Sequence, residues 1–199
     1  MGKPKKGSRM EALGSKHYDE AYKIDKEYRA HYKDSRYFNV WKQVVDFLRE
    51  IRDPSVLDVG CGTGQLGHYL SDEGFKNYVG FDFSMEAIKV AHDLSQQQFF
   101  VGDAYDSALY KKFPHNVVII SEVLEHLDYD LEVLKNVSPG TNIIFTVPRF
   151  NCKGHVRWFL EEWQVEKRYH DLIKIEKIVK ITSMKKTNKP WIVAKGVMI

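Results

Sequence analysis

The sequence predicts an α/β fold, an open and mostly parallel sheet of seven strands with helices on both faces and an antiparallel strand pair at its C-terminal end. Three observations carry that prediction. Short, almost wholly apolar runs such as VLDV (56–59) and NVVIIS (116–121) read as strands buried on both faces. Stretches with helical spacing alternate with them, as in successive βαβ units. The C-terminal part then breaks this rhythm: LIKIEKIVKI (172–181) alternates with period two, and WIVAKGVMI (191–199) follows after a polar turn.

In chain order, residues 15–33 (SKHYDEAYKIDKEYRAHYK) read as a polar, tyrosine-rich helical region. YFNVWKQVVDFLREI (37–51) carries an apolar stripe at Phe38, Trp41, Val44, Val45 and Leu48, and Pro54 separates it from the first strand. Helices are expected over 65–74, ended by Gly74, and over 84–94, with Ser84 as N-cap. A further helix is expected over 129–137 and another over 158–169. Between them fall strands at 77–82, 99–103, 116–121 and 141–147, the last closed by Pro148.

At 199 residues the chain is long enough to bury a core without disulfides, and it reads most economically as one domain. Cys61 and Cys152 are the only cysteines, so a reducing cytoplasm is the expected setting. No apolar run approaches the length of a membrane span, and the first residues lack the apolar stretch of a signal peptide. A net charge of +3 is too mild to indicate nucleic acid. Lysines gather in KPKKGSR (3–9) and MKKTNKP (184–190), read as solvated ends ahead of phosphate contacts.

The segment VLDVGCGTGQLG (56–67) places four glycines directly after the first strand. From Gly62 it matches the dinucleotide fingerprint G-x-G-x-x-G, with Asp82 near the position of a ribose-binding carboxylate. From Asp58 the same letters read Asp-x-Gly-x-Gly-x-Gly. Glycine permits the tight turn and close ligand approach in both cases, so charge must separate them. At an effective dielectric of about 20, like charges about 4 Å apart repel by roughly 4 kcal/mol, which disfavours a pyrophosphate beside Asp58. A ligand with an amino group and a sulfonium is attracted instead. The charge favours S-adenosylmethionine over NAD.

The same segment resembles the first motif of the class I S-adenosylmethionine-dependent methyltransferases. GFDFS (80–84), VGDAYD (101–106) and IISEVLEHL (119–127) resemble the motifs that follow it in register, and the terminal strand pair is similar to that family's reversed last hairpin. The resemblance covers residues 37–199 and looks closest to the small branch that includes the ubiquinone-biosynthesis O-methyltransferases. It implies a Rossmann-like methyltransferase domain over 37–199, preceded by a basic tail and helical lid over 1–36. It also implies that Gly60, Gly62 and Gly64 bring backbone against the methionine part of the cofactor, with Asp58 near its amino group. By the same resemblance Asp82 accepts the ribose hydroxyls, Phe83 packs on adenine, and Asp103 and the Ala104 N–H meet the adenine edge. Taken alone, Asp103 also reads as a turn former and Phe83 as core.

SEVLEHL sets Glu122, Glu125 and His126 close together; if it opens a helix, the two glutamates share a face and Glu122 and His126 lie four apart. Three uses stand side by side. Glu122 can sit beside the cofactor with His126 packed under the site. His126, with Glu125 beside it, can act as general base. Two carboxylates and an imidazole, with His155 as a further ligand, can hold a divalent cation, and Glu-x-x-Glu-His resembles the pattern of metal-dependent small-RNA 2′-O-methyltransferases. The first is preferred and no metal is assigned. His155 and Arg157 are read as contacts for a substrate anion or as caps of the next helix. Tyr18 and Tyr22, four apart, are candidates to close over the cofactor, with Tyr22 as the contact.

The expected activity is transfer of a methyl group from S-adenosylmethionine to an oxygen, nitrogen or carbon atom of a small molecule. Alternatives are a metal-dependent RNA 2′-O-methyltransferase and a non-catalytic cofactor-binding subunit. No Asn-Pro-Pro-Tyr-like segment follows the fourth strand, where SEVL stands instead, which argues against amino groups of DNA or of protein glutamine.

Overall fold

A computed structural model describes residues 13–182 and 189–199. The lysine-rich stretch 3–9, and all of 184–190 but its last two residues, lie outside that range. Seven strands form one sheet: β1 (Val56–Val59), β2 (Tyr78–Asp82), β3 (Gln98–Val101), β4 (Val117–Ser121), β5 (Asn142–Pro148), β6 (Ile173–Thr182) and β7 (Pro190–Met198). Their order is β3-β2-β1-β4-β5-β7-β6. All pairings from β3 to β5 are parallel, and β7 runs antiparallel to both β5 and β6, as the period-two C-terminal segment predicts.

The apolar strands are central because helices cover both faces. All four side chains of β1 are buried, and Val117–Ile120 of β4 are fully so. One face carries α2 (Phe38–Leu48), α3 (Gln65–Asp72) and α4 (Met85–Leu94), whose stripes include Val44, Leu70 and Ala91. The other carries α5 (Ser107–Lys112), α6 (Asp130–Leu134) and α7 (Glu162–Tyr169), with Tyr110, Leu134 and Tyr169 inside. Burying one such large side chain contributes about 1.5–3 kcal/mol. Ser84 caps α4 as expected, its Oγ accepting from the Ala87 N–H at 3.1 Å. α1 (Ser15–Ile24) packs on α4 outside this layer.

Four local expectations need correction. The tyrosine-rich region is not one helix: after α1 it turns through two 3₁₀ turns, Lys26–Arg29 and Tyr32–Asp34, each opened by a side chain (Asp25, His31) that accepts from the backbone two residues on. α5 is unannounced by periodicity because it has only six residues; Asp106 opens it by accepting from the Ala108 N–H at 2.9 Å. α7 begins at Glu162 rather than 158, where Gln164 Oε1 accepts the N–H groups of Leu160 and Glu161. After β4 there is no full helix, only a 3₁₀ turn at Leu124–His126. Among the described residues no helix is long and apolar enough to cross a membrane.

Candidate active site

The β1–α3 loop lies at the carboxyl end of the sheet, where open α/β folds bind ligands. Gly60 has φ +74°, and a Cβ there would stand 2.4 Å from Val123 Cγ2. Gly64 has φ +73° and is pressed against Ala91 and Phe99, so it opens α3 in a conformation and a space that exclude side chains. Gly62 lies between them under Tyr22, whose hydroxyl is 3.4 Å from where a Cβ would be. The loop lines two adjoining cavities. The larger, about 430 Å³, runs past Asp82, Phe83, Asp103, Ala104 and Glu122. The smaller, about 110 Å³, reaches down to Asp58, Gly60 and Gly62. Tyr22 lines both.

The two acids on β1 and β2 are buried. Asp58 accepts from the Tyr78 hydroxyl at 2.7 Å, and desolvation pushes its carboxyl up to about 7. Asp82 accepts from the Gly62 N–H and the Ser84 N–H, both at 2.9 Å, so it braces the glycine loop as well as facing the cavity. Burial raises it to about 6. Asp103 is exposed and accepts from the Tyr105 N–H at 2.9 Å; it forms a turn and still lines the cavity. Phe83, 40% exposed, stands on the cavity wall rather than in the core, with the Tyr18 ring at 5.5 Å.

Glu122 is the hinge of the site. Its φ of +59° turns the chain out of β4, a left-handed conformation that non-glycine residues rarely hold. Its N–H donates to Thr146 Oγ1, whose own hydroxyl donates back to Glu122 Oε1 at 2.8 Å. Trp191 Nε1 donates to Oε2 at 2.5 Å. Burial still lifts its carboxyl to about 7. The helical-face argument for Glu122, Glu125 and His126 therefore fails, because Glu122 precedes the 3₁₀ turn; the left-handed bend is what keeps it beside the others.

Glu125 is fully buried, and among the described residues neither of its carboxylate oxygens has a hydrogen-bond partner. Burial and the neighbouring Glu122 hold it well above the usual carboxylate range. His126 Nδ1 lies 3.0 Å from the Gly154 carbonyl. A carbonyl only accepts, so Nδ1 carries the proton and Nε2 presents a lone pair, 3.9 Å from Glu125 Oε1. Burial lowers the imidazole to about 4, leaving it neutral. His155 repeats the arrangement, with Nδ1 3.2 Å from the Phe150 carbonyl and its ring 4.9 Å from that of His126. Ligand atoms of Glu125, His126 and His155 all lie within 4.8 Å of one another, a donor set able to hold a divalent cation.

Arg157 is engaged within the protein. It donates to the carbonyls of Leu124, Leu127 and Asp128 and pairs with the fully buried Asp130 at 3.2 Å. An uncompensated carboxylate inside the protein is costly, and Asp130 draws in both Arg157 and Arg168. Neither Arg157 nor His155 caps α7, which Gln164 serves instead. Three residues of the site escaped sequence reasoning: Thr146, Trp191 and Asp19. Asp19 accepts from Ser84 Oγ at 2.5 Å, which ties α1 to the cap of α4. The Tyr28 carbonyl accepts from Thr63 Oγ1 at 2.6 Å, and Gln65 Nε2 donates to the carbonyls of Glu27 and Ala30. These bonds run to backbone or between distant segments, so no local pattern announces them.

A glycine loop at the switch point of a Rossmann-like sheet, with carboxylates closing β1 and β2 and a reversed last strand, defines a class I methyltransferase fold. Residues 31–186 match the methyltransferase domain family, and the chain belongs to it. It is 31% identical over 110 residues to a ubiquinone biosynthesis O-methyltransferase of Vibrio parahaemolyticus, covering 51% of this chain and 46% of that one. The chain thus spans about half the length of the curated relatives it matches. Among solved structures, the N-methyltransferase NodS of Bradyrhizobium japonicum, in complex with S-adenosylhomocysteine, superposes with a TM-score of 0.70 at 14% identity, over 92% of this chain and 97% of that one. A SAM-dependent methyltransferase from Anabaena variabilis gives 0.71 at 12% identity, over 98% and 100%. At such identities these structures establish the fold alone.

Proposed function

We propose that the protein transfers the methyl group of S-adenosylmethionine to a small-molecule acceptor, with an oxygen as the favoured nucleophile. The observation that carries this reading is the charge along the crevice: Asp82, Asp103 and Glu122 line the larger cavity, Asp58 lines its deep extension, and among the described residues neither is lined by lysine or arginine. That suits a cationic nucleoside and repels a pyrophosphate. In this reading Asp82 accepts the ribose hydroxyls, Phe83 and the Asp103–Ala104 turn hold the base, and Gly60 and Gly62 line the amino-acid end near Asp58. Tyr22 closes that end, and residues 13–36, the described part of the N-terminal segment, act as the lid. The cofactor supplies an activated methyl group.

The chain's own residues then position the acceptor and take one proton. His126 would take the acceptor's proton at Nε2, the ring nitrogen left unprotonated by the contact of Nδ1 with the Gly154 carbonyl. The oxygen preference rests on the O-methyltransferase relatives. Incubation with labelled S-adenosylmethionine and fractionated small metabolites tests the reading; a label that enters no small molecule counts against it.

A second reading has its own observation. The unpartnered oxygens of Glu125, facing the lone pairs of His126 and His155, fit a divalent cation that would orient the acceptor oxygen. With it comes the alternative of a 2′-hydroxyl of RNA as acceptor. Loss of transfer on chelation, restored by manganese or magnesium, together with labelling of RNA, would favour it.

A further inference from the structure

His68 and Asp72 stand four residues apart on α3, with His68 Nε2 3.9 Å from Asp72 Oδ1. His31, from the N-terminal segment, brings its ring to 5.2 Å from that of His68. Ligand atoms of these three residues all lie within 4.8 Å of one another. None of them lines the two cavities of the crevice, or a third of about 170 Å³ beside His126. Tyr32 organises the group. Buried between the segment and α3, it places its ring 4.3 Å from His31 and 5.2 Å from His68. Its hydroxyl donates to Asp72 Oδ2 at 2.7 Å, which leaves Oδ1 toward His68. Among the described residues neither that oxygen nor the ring nitrogens of His68 make a hydrogen bond.

We propose that His31, His68 and Asp72 form a surface site for a divalent transition metal of the zinc type, and that the bound ion fastens the N-terminal segment to α3. The proposal stands apart from the methyl-transfer reading. Two imidazoles and one carboxylate suit zinc and leave a position for water. Zinc at about 2.1 Å from each donor needs the donors about 3.4 Å apart, which movements of about 1 Å by these accessible side chains achieve. Tyr32 supplies the outer hydrogen bond that a ligating carboxylate ordinarily has. His31 Nδ1 accepts from the Lys33 N–H at 3.2 Å, an exposed bond that water replaces when the ring turns to the ion. The ion continues an existing seam. Thr63 Oγ1 donates to the Tyr28 carbonyl, and Gln65 Nε2 to those of Glu27 and Ala30. A bridge from His31 to His68 and Asp72 extends that seam further along α3.

The test is calorimetric titration with Zn²⁺ on His155→Gln, in which the separate donor set of Glu125, His126 and His155 is incomplete. An ion should bind with micromolar affinity. Adding either His68→Gln or the exposed His31→Gln should weaken it by about tenfold or more, and Tyr32→Phe by about threefold to tenfold. Circular dichroism and thermal unfolding show that each variant is folded. In the parent, saturating Zn²⁺ should also slow trypsin cleavage after Lys23, Lys26 and Arg29 by about threefold or more, and should not do so in His31→Gln. No binding, or binding that survives both histidine substitutions, overturns the proposal. Binding confined to protein with His155 intact overturns it too, since the ion then belongs beside His126. Zinc bound at His68 with cleavage unchanged overturns the fastening.

Discussion

The Nδ1 of His126 is bonded to the backbone carbonyl of Gly154, 28 residues further along the chain. This one contact ties the segment after β4 to the segment after β5 and fixes which face of the imidazole is basic. Gly154 holds φ +88° at that point, with its Cα close under His126 and Leu13. The proposed base is thus set by backbone, not by a second acid.

From this, His126→Ala should lower methyl transfer by about 10²–10⁴-fold while leaving S-adenosylhomocysteine affinity within about threefold. Parallel steady-state kinetics and calorimetry check it. A loss of both together would instead assign His126 to holding the site's shape.

The buried acids make a pH prediction with a definite sign. Asp58 is raised to about 7 and Asp82 to about 6, from an ordinary 3.8. Between those values the folded protein retains protons that the unfolded chain has released. Their relative stabilisation is therefore complete below pH 4 and is lost as pH rises through 7. Asp58→Asn should be more stable than the unliganded parent by on the order of 2–4 kcal/mol at pH 8, and by much less at pH 4.5. Thermal unfolding across that range reads the difference; a gap that does not change with pH would contradict it.

Asp130 lines none of the three cavities, and its loss is expected to act first on stability. It is fully buried and accepts from Arg168 and from the Tyr169 hydroxyl at 2.9 Å while pairing with Arg157. Asp130→Ala leaves two guanidinium groups without their carboxylate and should cost about 3–5 kcal/mol. Because Arg157 also gathers the carbonyls of Leu124 and Leu127, the same variant should weaken transfer even where it remains folded. Denaturant unfolding with activity measured at low temperature checks both.

Gly60→Ala introduces a Cβ into the space of Val123 at φ +74°. It should destabilise the protein by about 2 kcal/mol or more, and the paired change Val123→Ala should recover part of that by removing the clash while the backbone strain remains. Full recovery would show that conformation contributes nothing.

The fold was largely readable because its signals are local. Apolar four- and five-residue runs mark the central strands, period two marks β6, and Ser84 stands where a cap belongs. The glycine loop and the acids at 58 and 82 are legible for the same reason, since each lies near or directly after the C-terminal end of a strand. What the sequence hid depends on contacts between distant segments. Glu122 looked like the start of a helix; a left-handed bend held by Thr146 and Trp191 places it, and both partners lie on other strands. Arg157 looked like an anion contact until the buried Asp130, 27 residues earlier, accounted for its charge. The place of His155 against His126 depends on a turn after β5 that no periodicity describes.

Calorimetric titration with S-adenosylhomocysteine and with NAD, on the parent and on Asp82→Ala, tests the central claim most directly. Binding of the sulfur ligand in the micromolar range, lost in the variant, with no binding of NAD, is the predicted result. Binding of NAD alone, or undiminished binding of S-adenosylhomocysteine to Asp82→Ala, would contradict the placement of the cofactor along the acidic crevice.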